Sequence, residues 1–178
     1  MALTAAVRIT PMVVDDIPAV LEIERASFLT PWPPEAFQQE VKHNRLARYA
    51  VARQGSVVVG YAGVWLMVDE AHITTFAVHP DWRRQGVGRR LLLGMLSVAE
   101  ELGATKLTLE VRVSNVAAQG LYAELGFAIA GVRERYYTDD GEDAYIMTTP
   151  PLTDDAMHGP LEAARLALAE DAGEDVVI

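Results

Sequence analysis

Residues 83 to 90, RRQGVGRR, set Gly86 and Gly88 between two pairs of arginines, and the apolar run LLLGMLSVAEELG follows at once. Four of the chain's fifteen lysine and arginine residues gather there. The first turn of a helix leaves N–H groups without partners and carries a partial positive charge. Glycine lets the backbone approach a bulky anion with no Cβ in the way. A glycine loop at a helix mouth can therefore cradle a phosphate or pyrophosphate, with arginines at the rim adding counter-charge. The same glycines could serve only to turn the chain. The stretch is neither a G-x-G-x-x-G fingerprint nor a P-loop, since no Gly-Lys-Ser/Thr follows.

Other side chains with chemical potential are more dispersed. In KLTLEVRV, Leu107, Leu109, Val111 and Val113 face one way and Thr108, Glu110 and Arg112 the other. Glu110 thus lies on the polar face of a strand, placed to act as a base or to sit solvated or salt-bridged. Tyr122 shares an apolar stripe with Ala118, Leu121 and Leu125, and reads by spacing as a core tyrosine whose hydroxyl needs a partner. Trp32, Tyr136 and Tyr137 could contact a ligand or merely pack. His72 and His79 lack paired-ligand spacing, so no metal site is expected. The absence of cysteine excludes disulfides, thiolate metal sites and a cysteine-bound intermediate.

These residues need a scaffold, and the pattern outlines one. VRIT opens as a short strand. Asp15 and Asp16 stand where a helix N-terminus favours negative charge, and Ile17, Val20, Leu21 and Phe28 predict a helix over about 15–27. LTPWPPEAF is a loop, and PEAFQQEVKHN a second helix with proline in its first turn. ARYAVAR, VVVGYAGVWLMV and EAHITTFAV are strands joined by short turns, hence antiparallel. Leu91, Leu92, Met95, Leu96, Ala99 and Leu102 recur at helical spacing, and Gly103 closes the run. After the Glu110 strand, Ser114 or Asn115 caps the Tyr122 helix, which ends at Gly126. FAIAGVRERYY and DAYIMTT form a last strand pair around TDDGE, with Glu142 and Asp143 shaping the turn. The order β-α-α-β-β-β-α-β-α-β-β predicts an α/β domain over 1–150. Residues 151–178 read as an acidic linker and an amphipathic helix loosely attached to it.

A chain of 178 residues, 51% hydrophobic and 22% charged, suits one globular domain. Its formal charge of −10 argues against a nucleic-acid surface and favours basic partners. No signal-like start or membrane-spanning run is seen, so a soluble cytoplasmic protein is expected.

Arg83-Arg84-Gln85-Gly86-Val87-Gly88 resembles the R-x-x-G-x-G pyrophosphate motif of the GNAT N-acetyltransferases, and the order of elements resembles their fold. LTLEVRVSNVAAQGLYAELGF, RERYYTDDGEDAYIM and FLTPWPPEAF are similar to the bacterial RimI type, which acetylates the N-terminal alanine of a small-subunit ribosomal protein. The likeness spans residues 7 to 150. It implies a mixed, mostly antiparallel sheet of six to seven strands flanked by helices. It also implies acetyl-CoA as cosubstrate. The backbone of Phe76, Ala77 and Val78 would pair with the pantetheine arm, and the Arg83–Arg89 loop (Arg83, Arg84, Gln85, Gly86, Val87, Gly88, Arg89) would hold the pyrophosphate. Asn115 would touch the cofactor near its thiol. Glu110 corresponds to the general base and Tyr122 to the general acid, with Trp32, Tyr136 and Tyr137 beside the peptide groove. Gly120 departs from the family, which carries a larger residue there. The resemblance implies direct transfer to the N-terminal amine of a protein, a basic ribosomal protein first among candidates. A GNAT acting on lysine or a small amine, and an acetyl-CoA-binding regulator without turnover, are the alternatives.

Overall fold

The protein is described by a computed structural model covering residues 6–173. Strand β1 (Val7–Pro11) leads through a 3-10 turn at Val14–Asp16 into α1 (Ile17–Ser27), and α2 (Pro34–His43) follows. The helix expected from residue 15 is regular from Ile17. The Asp16 carboxylate accepts the Val13 N–H at 2.9 Å and binds Arg53 at 2.6 Å, so it fixes the turn before the helix begins. Next come β2 (Ala47–Gln54), β3 (Val57–Met67), β4 (Glu70–Val78), α3 (Val87–Glu101), β5 (Lys106–Arg112), α4 (Val116–Glu124), β6 (Ala128–Arg133), β7 (Ala144–Thr148) and α5 (His158–Gly173). Gly103 adopts φ +72° just past α3, and the Asn115 side chain caps α4 by accepting the Ala118 N–H.

Among the described residues the strands form one seven-stranded sheet in the order β1-β2-β3-β4-β5-β7-β6. All neighbours are antiparallel except β4 and β5. This is the mixed, mostly antiparallel α/β sheet the pattern implied. β7 inserts between β5 and β6. It carries buried Ala144 and Met147, whereas β6 is largely exposed and takes the edge.

The β4–β5 pairing positions the site. It has three rungs, Glu70 with Lys106, Ala71 with Leu107 and His72 with Thr108. Beyond His72 the two strands part, and residues 73–78 keep only their β3 partners. The sheet therefore holds a fork whose upper edge on β4 is unpaired.

Two apolar clusters flank the sheet. One gathers Leu91, Leu92, Met95 and Leu96 of α3 against Val59, Val64, Leu107 and Leu109. The other packs Val20, Ile23 and Phe37 against Val51 and Tyr61. Each large side chain removed from water contributes roughly 1.5–3 kcal/mol.

Two expectations are corrected. The strand read as FAIAGVRERYY stops at Arg133, because Arg135 turns to φ +49° and its N–H is taken by Asp143 at 2.7 Å. The tail is not loosely attached. Leu152, Met157, Leu161 and Ala164 are buried in the α3 cluster, and Arg165 pairs with Glu100 of α3. Among the described residues no helix is long and apolar enough to cross a membrane.

Candidate active site

In the loop before α3 the two glycines have different reasons to be there. Gly86 is the N-cap of α3 at φ +82°, and a Cβ there would meet nothing within 4 Å. Its glycine is required by conformation, and the space beside it is open. At Gly88 a Cβ would stand 3.3 Å from Leu121 Cδ2, so this glycine permits close packing against α4. Val87 is buried and anchors the helix start. Arg84 adopts φ +61°. Arg83 donates from Nε to the Val78 carbonyl at 3.0 Å and reaches Ser27, which ties the loop to β4 and α1. Gln85 donates to the Asp81 carbonyl, and Arg89 pairs with Glu124 at 3.1 Å. The loop is thus braced by side chains that bond within the protein, ahead of the first-turn N–H groups of α3.

Below the fork lies a cavity of about 860 Å³. Its walls include Phe76, Glu110, Asn115, Tyr122, Trp32, Tyr136 and Tyr137. The structure therefore brings together residues that span more than a hundred positions of sequence. Ala77 is buried and Val78 partly buried along the free edge of β4, while residues 83–89 lie outside the cavity wall.

Glu110 is held from both sides. Its Oε2 meets His72 Nε2 at 2.5 Å, and its Oε1 accepts Arg133 Nε–H at 3.1 Å. Only 8% of its side chain is exposed. Burial works to raise its pKa, but the bonds and charges of His72 and Arg133 together outweigh burial and hold it below the usual carboxylate value. Tyr122 lies edge-on to Phe76 with ring centres 6.0 Å apart, and Phe127 packs at 5.8 Å. Burial raises its phenol pKa, so it stays protonated at any physiological pH. Gly120 faces outward on the same helix, with nothing near its missing Cβ, so it leaves the packing of Tyr122 untouched.

The β6–β7 loop is clamped by Arg112. The guanidinium bonds Asp139, Asp140 and Glu142 at 2.9–3.1 Å and lies 3.9 Å over the Tyr137 ring. Burial opposes its charge, but these three carboxylates keep it firmly protonated. Tyr136 and Tyr137 meet edge to face at 5.2 Å. Across the cavity, Trp32 packs on Phe37 and its backbone N–H is held by Glu24 Oε1 at 3.0 Å.

Three of these groups escape the sequence pattern. His72 reaches Glu110 because the last β4–β5 rung puts the two on one face of the sheet. Arg133 reaches it across β7. Glu24 lies on the buried stripe of α1 with Ile17, Val20 and Leu21, where an acid is out of place.

The sequence and the fold are matched in known proteins. Residues 17–127 match the model of the Acetyltransferase (GNAT) family. The chain is 44% identical over 143 residues to a putative ribosomal protein bS18-alanine N-acetyltransferase of Bacillus subtilis, covering 80% of this chain and 93% of that protein. It is 39% identical over 137 residues to the ribosomal protein bS18-alanine N-acetyltransferase of Escherichia coli strain K12, covering 76% and 91%. The crystal structure of the Escherichia coli ribosomal-protein-S18-alanine N-acetyltransferase superposes with a TM-score of 0.74 at 36% identity, covering 82% of this chain and 94% of that one. The chain belongs to the acetyltransferase (GNAT) family.

Proposed function

We propose that this N-acetyltransferase acts on the N-terminal α-amino group of a protein, the N-terminal alanine of a small-subunit ribosomal protein being the foremost substrate. One observation carries the reading. Glu110, Asn115 and Tyr122 share a single cavity with Trp32 and the Tyr136–Tyr137 pair, so the groups suited to proton transfer and those suited to a chain end face the same space. The curated relatives named for bS18-alanine acetylation, at 39–44% identity over most of their lengths, support that substrate.

Acetyl-CoA supplies the acetyl group as an activated thioester. The residues present fit it. The free edge of β4 offers the backbone groups of Phe76 and the Val78 N–H to an amide-bearing arm, as an added strand would, while Ala77 between them faces β3 and the Val78 carbonyl is held by Arg83. The open space beside Gly86 and the N–H groups of the first turn of α3 suit a pyrophosphate. The Asn115 amide N–H₂ remains available, since its oxygen is used in capping α4. Glu110 accepts a proton from the amine nitrogen as attack proceeds, with His72 and Arg133 fixing its position. The Tyr122 hydroxyl, held protonated by burial, donates toward the leaving sulfur.

An α-amine titrates near 8, more than two pH units below lysine, so one modest base can serve it and not lysine. The chain's charge of −10 attracts basic substrates. The test compares two basic peptides, one with a free N-terminal alanine and no lysine, the other blocked at its N-terminus with free lysines. The alanine peptide is expected to react faster, with a rate that falls as salt rises. Preference for the blocked peptide would make the chain a lysine acetyltransferase.

A further inference from the structure

Glu24 is a buried acid without a counter-ion. Its residue is 3% exposed, its Oε1 holds the Trp32 N–H, and its Oε2 is buried with no hydrogen-bond partner. Such an atom ordinarily finds a partner. Charged groups on the elements around it bond elsewhere: Asp16 with Arg53, Glu40 with Trp65 and Asn44, Arg83 with Val78 and Ser27, and Glu110 with His72 and Arg133. Arg25, the next residue, lies on the exposed side of α1, and Arg112 is saturated by the β6–β7 loop. Yet Glu24 lines the cavity that holds Glu110 and Tyr122.

The reaction has a use for it. An α-amine near pH 7 arrives mostly as R–NH₃⁺. The product amide keeps one N–H, so two protons leave the nitrogen. One must go before attack, to free the lone pair. The other goes as the C–N bond forms, while the C–S bond breaks and the sulfur ends as a thiol. The geometry points to Glu24 as the residue that receives the substrate's ammonium and takes the first of these protons on Oε2. The N–H bond breaks, the Oε2–H bond forms, and Glu110 serves the second transfer. Burial, partly offset by the Trp32 N–H, raises the Glu24 pKa, which improves it as a proton acceptor just as Glu110's clamp weakens that residue. This inference rests on the α-amine reading above.

The experiment measures kcat/KM against pH for the wild type and Glu24→Gln with the N-terminal alanine peptide. Gln keeps an oxygen for Trp32 and removes the charge. A loss of about ten-fold or more is expected below pH 8, shrinking toward zero as the free amine comes to dominate. A uniform loss at every pH, or no loss, would overturn the inference and leave Glu24 as a brace for the Trp32 loop. Wild-type carbon-13 NMR gives a second readout that does not need the variant to fold. Peptide binding should pull the Glu24 carboxyl titration to lower pH, and an unmoved titration overturns the inference. Failure of the α-amine reading looks different, because the wild type itself would then ignore the alanine peptide.

Discussion

The two halves of the site are built from different materials. The loop at 84–89 presents backbone N–H groups, and its geometry depends on one dihedral angle at Gly86 and one close contact at Gly88. The cavity beneath the fork presents side-chain charge, with Glu110 between His72 and Arg133, Arg112 among three acids, and Glu24 alone. A backbone site recognises a group common to every turnover and is indifferent to most side-chain exchanges. A side-chain site decides protonation and which amine is accepted, and a single atom can alter it.

That contrast can be broken most severely at Glu110. Glu110→Gln should lower turnover by about 10²-fold or more without rescue at high pH, while acetyl-CoA affinity by calorimetry stays unchanged. Equal loss of both would mean that the two halves are not separable. The same variant carries a stability signature. Glu110's folded pKa lies below its ordinary 4.5, so the carboxylate's contribution is present above that value and is lost as pH falls through the folded one. The gap in denaturation midpoint between wild type and variant should therefore close at acid pH, and a gap that persists there would remove the clamp from the account.

The complementary break is Gly86→Val. A β-branched residue at φ +82° is strained by roughly 1–2 kcal/mol, so acetyl-CoA should bind about ten-fold more weakly while peptide KM changes little. Unchanged cofactor affinity would place the pyrophosphate elsewhere. The smallest effect is expected at Gly120→Ala, which should raise stability by up to about 1 kcal/mol and leave both halves' kinetics alone, because the position faces open space. A fall in turnover there would show that α4 must flex.

The two halves also differ in how far they could be read from the chain. The cradle is local: eight consecutive residues contain its glycines, arginines and helix start, and α3 follows by its own periodicity. Strand alternation likewise placed Glu110 on the right face. The cavity's electrostatics depend on pairings between distant strands. His72 and Glu110 are 38 residues apart and meet only because β4 and β5 run parallel for three rungs. Arg133 arrives from an edge strand once β7 has slipped inside, an order that hairpin signals do not encode. Tyr122 kept both of its readings, since it packs as a core tyrosine and lines the cavity. Glu24 did leave a trace, an acid on the apolar stripe of α1, but the stripe alone could not say what lay opposite.

The seating of α5 bears on where the chain may be cut. The Pro150–Pro151 pair invites truncation, since the preceding residues contain every group assigned to the chemistry. Yet Met157, Leu161 and Ala164 sit at zero to four per cent exposure against the helix that begins at the cradle. A shortened protein would carry an oily scar beside α3 and should self-associate, so a minimal catalyst from this scaffold would need either its tail or polar replacements along the groove the tail now fills.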